Sequence, residues 1–134
     1  MSDYYQIFDF LLKQLINTPT TYGKDHPIKV LRESNTVNLY LPRGTNKTTF
    51  IADNLTRKDI LVVKNDKELQ AMKFKFNSSM SVVTVQQFSP KHLIGFKKGY
   101  GIIFFDEVNP DSLSDDIINS IAFSQAKIFA LRTS

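Results

Sequence analysis

An apolar strand in this chain runs directly into a polar turn and a Lys-Thr-Thr triplet, in the segment Val37-Asn38-Leu39-Tyr40-Leu41-Pro42-Arg43-Gly44-Thr45-Asn46-Lys47-Thr48-Thr49. Further along, a second apolar run ends in two acids, Ile102-Ile103-Phe104-Phe105-Asp106-Glu107. The first segment offers backbone N–H groups at a helix start, a lysine for terminal phosphates and a hydroxyl for Mg²⁺. The second offers one carboxylate for a hydrated metal and another for water. Together they predict a triphosphate site, provided that the Lys47 ammonium and the Asp106 carboxylate lie together on one rim of the molecule.

Strand and helix patterns alternate along the rest of the chain. Apolar periodicity predicts helices over residues 4–17, 27–33, 47–54, 66–74 and 111–123, with one or two helical turns over 90–96. Strands are predicted over 36–41, 59–63, 81–86, 101–106 and 127–131. An alternative prediction for residues 74–76 is that they pair with 81–86 in a hairpin. This order favours an α/β fold, a three-layer sandwich with a mainly parallel sheet of about five strands. We expect a single domain over 1–134, with an N-terminal helical segment at about 1–34.

The composition excludes several classes of protein and several kinds of site. The chain has 134 residues, 42% of them hydrophobic, and no apolar run approaches the ~20 residues of a membrane helix. Its first residues lack the basic start of a secretory signal. We therefore expect an intracellular, cytoplasmic protein with no membrane partner. The absence of cysteine excludes disulfides and thiolate sites, and His26 and His92 have no second ligand at metal spacing.

The net charge of +4 is compatible with a polyanionic partner such as DNA, although a solvated surface is the simpler interpretation of the lysines. Acidic residues concentrate near the predicted metal position, at Asp106, Glu107, Asp111, Asp115 and Asp116. We keep DNA or a nucleic-acid-associated protein as a predicted partner.

The chain resembles the core of the additional-strand P-loop ATPases, and most closely the ATPase domain of viral large terminases and related helicases. In that group the phosphate loop commonly reads Pro-Arg-x-x-Gly-Lys-Thr-Thr, and residues 42–49 match every fixed position except one. Residues 60–74, 93–95, 102–107 and 127–133 resemble the segments that follow the loop, including the second acidic motif and the strand that ends in a polar sensor. The resemblance covers residues 36–134.

The resemblance implies a role for each matching residue. The cofactors would be ATP and Mg²⁺, with the loop residues around the phosphates: Gly44, Thr45, Asn46, Lys47, Thr48 and Thr49. Lys47 would neutralise β- and γ-phosphate charge, and Arg43 would reach the γ-phosphate. Thr48 and Asp106 would hold the metal, Asp106 through water, and Glu107 would prepare the attacking water. Thr133 would sense the γ-phosphate and pass its loss to a neighbouring element.

The chain departs from the motif at Asn46, where the family has glycine. This position demands a backbone conformation that side chains disfavour, although asparagine tolerates positive φ better than most residues. Because the sequence ends at Ser134, we also expect no nuclease domain of the terminase kind. Two functions stay open. The first is a small Mg²⁺-dependent ATPase of viral DNA packaging or replication, which acts as an oligomer or together with a partner ATPase. The second is an inactive pseudo-ATPase that serves as a protein-interaction or DNA-binding module.

Overall fold

Five parallel strands form the centre of the fold, in a computed structural model that describes residues 3–18, 26–73, 81–93 and 101–133. The strands are β1 (Thr36–Leu41), β2 (Ile60–Val63), β3 (Ser81–Thr84), β4 (Ile102–Asp106) and β5 (Lys127–Thr133). The helices are α1 (Asp3–Asn17), α2 (Pro27–Ser34), α3 (Lys47–Asn54), α4 (Asp66–Lys73) and α5 (Asp115–Phe123). Two short 3₁₀ turns cover Pro90–Leu93 and Pro110–Ser112.

The strands lie in the order β1-β5-β4-β2-β3, and all four pairings are parallel. The last strand of the chain therefore lies between the strand before the Lys-Thr-Thr turn and the strand before the two acids. Parallel strands place their carboxyl ends at one edge of the sheet, and ligands of open parallel sheets bind there. The strand order brings both predicted motifs to that edge.

The two faces of the sheet are covered by different helices. Phe104 and Phe129 pack with residues of α1, α3 and α4 on one face, whereas Phe105 and Ile128 pack with residues of α2 and α5 on the other. All five residues of β4 are buried, as expected for a central strand of a parallel sheet. The predicted three-layer α/β sandwich is therefore confirmed. No helix in the described part of the chain is long and apolar enough to cross a bilayer.

Several predicted element bounds are wrong. The helix predicted over 111–123 is two elements, because the Ser114 hydroxyl accepts the N–H of Ile117 and starts α5 only at Asp115. The predicted strand 81–86 ends at Thr84, where the chain turns so that the N–H of Gln87 bonds Thr84 Oγ1. The last strand extends to Thr133 rather than 131 because β1 pairs with it as far as Leu41. The alternative hairpin of residues 74–76 and the end of the turn over 90–96 lie outside the described residues.

Candidate functional site

The alternation of side chains along β4 and β5 decides which groups face the start of α3. Phe104 lies on the face that α3 covers, so Asp106, two residues later, points to the same side at the end of the strand. Thr133 follows Leu131 on that face in the same way. Since α3 begins at Lys47, the strand ends and the helix N-terminus meet at one place.

Lys47 and the two acids, which are far apart in sequence, are in contact. Lys47 Nζ lies 2.7 Å from Glu107 Oε1 and 3.5 Å from Asp106 Oδ1. The side chains of Lys47 and Asp106 are only 17% and 8% exposed, so water screens this cluster weakly. Burial lowers the pKa of Lys47, but the hydrogen bond to Glu107 and the two carboxylate charges outweigh burial and raise it above its ordinary value. The lysine is therefore held as a cation.

Thr48 is hydrogen-bonded to the acid that ends β4. Its hydroxyl donates to Asp106 Oδ2 at 2.9 Å, while Asp106 Oδ1 is buried and has no hydrogen bond. Burial raises the pKa of Asp106, and the nearby Lys47 charge and Thr48 hydroxyl only partly offset it. Oδ1 has the Lys47 ammonium at 3.5 Å but no hydrogen bond of normal geometry, so this buried carboxylate could accept a further cation or donor.

Glu107 is fixed by its backbone and by the end of β5. Its φ is 63°, and its N–H donates to the carbonyl of Leu131 at 3.0 Å, so the chain turns out of β4 at this residue. Its carboxylate accepts the N–H of Thr133, at 3.2 and 3.1 Å to the two oxygens, and also the Thr133 hydroxyl. Burial raises the pKa of Glu107, but the Lys47 and Thr133 hydrogen bonds prevail and lower it. Glu107 is thus a well-oriented carboxylate.

The loop between β1 and α3 has two residues in the left-handed region. Gly44 has φ 78°, and Asn46, the residue before α3, has φ 59° and ψ 32°. The Asn46 side chain makes no capping hydrogen bond to the first turn of α3. The backbone at position 46 therefore has a conformation that favours glycine. In this chain an exposed asparagine adopts that conformation.

Two adjoining cavities contain all the predicted site residues. The larger, of 380 Å³, is lined by Arg43, Lys47, Thr48, Asp106, Glu107 and Thr133, together with Lys64 and Glu68. The smaller, of 180 Å³, is lined by the loop itself: Pro42, Gly44, Thr45, Asn46, Lys47, Thr48 and Thr49, with Thr133. Lys47, Thr48 and Thr133 line both cavities. The structure thus brings together every residue that the sequence predicted for this site.

Lys64 and Glu68 are the two charged residues of the larger cavity that the sequence analysis missed. Lys64 directly follows β2, which is four buried residues long, and Glu68 lies in the first turn of α4. A charge at the carboxyl end of a buried strand was the signal that selected Asp106. The same signal could have selected Lys64.

The donor set suits a metal that is shared with a phosphate ligand. No group of three or more His, Asp or Glu side chains that could hold a metal by themselves occurs among residues 3–18, 26–73, 81–93 and 101–133. Mg²⁺ is commonly bound by one or two carboxylates together with substrate phosphates. Thr48 and Asp106, whose buried Oδ1 accepts no hydrogen bond, fit that arrangement.

The two histidines have local structural roles. His26 Nδ1 accepts the N–H of Ile28 at the start of α2, and His92 Nδ1 accepts the N–H of Ser89 in a turn. Neither residue lines the two cavities described above.

No family model matches this chain, and no curated protein matches it significantly. The functional interpretation therefore depends on the geometry of the site and on the resemblance of its motifs.

Proposed function

We propose that this chain binds a nucleoside triphosphate, ATP, with Mg²⁺ at the carboxyl edge of its sheet and hydrolyses the terminal phosphate. One observation carries the proposal: Lys47, Thr48, Asp106, Glu107 and Thr133 line one open cavity at the start of a helix. In addition, β5 lies between β1 and β4, so Thr133 at its end stands between the loop that follows β1 and the acids that follow β4.

The loop supplies the binding of the phosphates. Its backbone N–H groups at the start of α3 and the partial positive charge of the helix N-terminus favour an anion in the smaller cavity. Lys47 lies at the junction of the two cavities, so its ammonium can reach the outer phosphates. In doing so it exchanges part of its contact with Glu107 for phosphate oxygens.

The metal would be held by Thr48 and Asp106. Bound Mg²⁺ would neutralise charge on the phosphate oxygens as the terminal phosphoryl group leaves. Burial raises the pKa of Asp106 although Lys47 and Thr48 lie against its carboxylate. A second cation beside Oδ1 would favour the ionised form.

Glu107 would orient the attacking water. The hydrogen bonds from Lys47 and Thr133 keep its pKa low, so it remains a carboxylate and accepts a hydrogen bond from water. The same Thr133 connects the carboxylate to the end of β5. After the terminal phosphate leaves, Lys47 would return to its full contact with Glu107. This movement would be passed to β5 through the hydrogen bonds between Glu107 and Thr133.

A second candidate is a binding protein without turnover. Two observations favour it: a side chain occupies position 46 of the phosphate loop, and Lys47 is already paired with both acids. In this case the protein would be an inactive pseudo-ATPase that contacts DNA or a partner ATPase.

The biological setting comes from the resemblance alone. A terminase-like or helicase-like ATPase of this kind would act on DNA in packaging or replication, in the cytoplasm of a host cell if the protein is viral. It would work as an oligomer or with a partner ATPase.

Titration calorimetry with ATP and Mg²⁺, followed by phosphate-release assays, tests both candidates. The proteins are the wild type, Lys47→Ala, Glu107→Gln and, as a matched control, Lys13→Ala, which removes an exposed lysine of α1. We expect Lys47→Ala to abolish binding and Glu107→Gln to bind ATP but lose about 10²-fold or more in turnover. Binding without turnover in the wild type supports the inactive candidate. No binding at millimolar ATP contradicts the nucleotide site and also supports the inactive candidate, which would then act through DNA or a partner ATPase alone.

A further inference from the structure

Lys64 is a cation of the larger cavity that the motifs do not account for. It directly follows β2, and the last residue of β2, Val63, is in register with Asp106 on β4. Neighbouring parallel strands lie about 4.8 Å apart, so Lys64 emerges beside the two acids at the same edge of the sheet. Its side chain lines the 380 Å³ cavity with Lys47 and Glu107.

The strand order places Lys64 opposite the other two cations. Arg43 and Lys47 follow β1, at one end of the row β1-β5-β4-β2, whereas Lys64 follows β2 at the other end. The carboxylates of Asp106 and Glu107 lie between them, at the end of β4. A group bound over the ends of β5 and β4 would therefore have positive charge on two sides.

The charges of the cavity are already partly paired. Lys47 contacts both Asp106 and Glu107. Lys64 is exposed and makes no ion pair within the part of the chain that the structure describes. Glu68, one turn into α4, also lines the cavity, and its N–H is capped by the Asn65 side chain. The Lys64 ammonium is thus available to an incoming anion.

The two cavities would hold different parts of a bound triphosphate, an inner part and an outer part. The smaller one is formed by the loop 42–49 at the start of α3, where inner phosphates would bind, and Lys64 does not line it. The larger one extends to β4 and β2, and Lys64 does line it. Only a terminal phosphate that passes Lys47 would reach Lys64.

We propose that Lys64 binds the terminal phosphate of the nucleotide, opposite Arg43, and makes the site select triphosphates over diphosphates. This inference rests on the proposed function, because it assigns a ligand contact within the same site. It assigns that contact to a residue outside the phosphate loop and the acidic motif.

Calorimetric titration with ATP and, separately, ADP, each with Mg²⁺, tests the assignment on the wild type, Lys64→Ala, Lys64→Arg and Lys67→Ala. Lys67 is an exposed lysine of α4 that does not line the cavity, so its variant matches the change in net charge. We expect Lys64→Ala to weaken ATP binding about tenfold or more, the value of a charge-assisted hydrogen bond, and to leave ADP binding unchanged. Lys64→Arg should keep the preference for ATP, and Lys67→Ala should bind both nucleotides like the wild type.

The outcomes separate this inference from the proposed function. If the wild type binds ATP and Lys64→Ala binds it equally well, or loses ATP and ADP affinity to the same extent, the role of Lys64 is wrong and the site stands. If Lys67→Ala weakens ATP binding as much as Lys64→Ala does, the effect comes from net charge. The contact between Lys64 and the terminal phosphate is then wrong as well. If the wild type binds neither nucleotide, both proposals fail.

Discussion

At the scale of single residues, the most sensitive position is Asn46, which holds a left-handed backbone at the start of α3. Alanine tolerates this conformation less well than asparagine, and glycine tolerates it best. We predict that Asn46→Ala lowers the free energy of unfolding by about 1 kcal/mol, whereas Asn46→Gly strengthens ATP binding by removing a side chain from the loop. Urea unfolding measures the first effect and calorimetry the second. Equal stability of Asn46→Ala and the wild type would mean that the loop does not require positive φ.

A second residue-scale prediction concerns the pH dependence of the Glu107 cluster. Because the pKa of Glu107 is lower in the folded protein than its ordinary value of 4.5, the ionised carboxylate stabilises the fold above that value. This contribution is lost as the pH falls through the lower folded-state pKa. We predict that Glu107→Gln is less stable than the wild type at pH 7 and that the difference shrinks in urea titrations below about pH 4.

Glu33 provides the control for that measurement. Asp106 shares Lys47 with Glu107, and the charge of Glu107 helps to raise the pKa of Asp106, so the change in the Asp106 titration is part of the measured difference. Glu33→Gln, which replaces an exposed acid of α2, is the matched variant for the loss of one negative charge. If the difference in unfolding free energy between Glu107→Gln and the wild type stays constant with pH, the role of the ionised carboxylate is contradicted.

At the scale of elements, α1 is attached to the sheet by a lysine from the opposite end of the chain. The last carbonyl groups of a helix lack partners within the helix, and α1 has no basic residue in its last turn. The buried Lys127 Nζ donates to the carbonyls of Leu15, Ile16 and Thr18 at 2.6, 3.1 and 2.6 Å. Its position at the first residue of β5 fixes where α1 ends.

Lys127→Met should therefore loosen the end of α1. The variant keeps an apolar stem of similar length and removes the lysine donor from three carbonyl groups, of which Leu15 keeps the N–H of Thr18. We therefore predict a loss of about 2 kcal/mol in unfolding free energy. Hydrogen exchange should become faster in the last turn of α1 before it does in the strands. Lys13→Met, which removes only an exposed lysine paired with Asp9, should change neither quantity by much. Identical exchange in Lys127→Met and wild type would exclude this attachment.

At the scale of the whole molecule, a ligand that binds only the folded state raises its stability by mass action. At an ATP concentration of about 100 times Kd the gain is about 2.7 kcal/mol, which corresponds to roughly 8 °C in Tm for a domain of this size. We predict that Mg²⁺ with ATP raises the Tm of the wild type and leaves that of Lys47→Ala unchanged. Differential scanning calorimetry measures both. An equal rise in Lys47→Ala would place the nucleotide somewhere other than this cavity.

Local patterns in the sequence were sufficient to predict the elements and to select most of the residues that line the two cavities. Period-two and period-3.6 patterns predict strands and helices because they reflect burial of one segment against a neighbour. The turn at Lys47 and the acids at Asp106 and Glu107 stand directly after such segments, so they could be found without coordinates. The errors fell at element ends, as at Ser114, where one capping side chain decides where a helix starts.

The order of the strands and the contacts between distant side chains came only from the tertiary structure. Nothing local in the sequence requires β5 to lie between β1 and β4, because that order depends on how all the helices pack on both faces. From this order follow the bond between Thr133 and Glu107, the place of Lys64 in the cavity and the reach of Lys127 to α1. The sequence by itself determined which groups stand at the ends of strands. The packing of the sheet decided which of those groups meet.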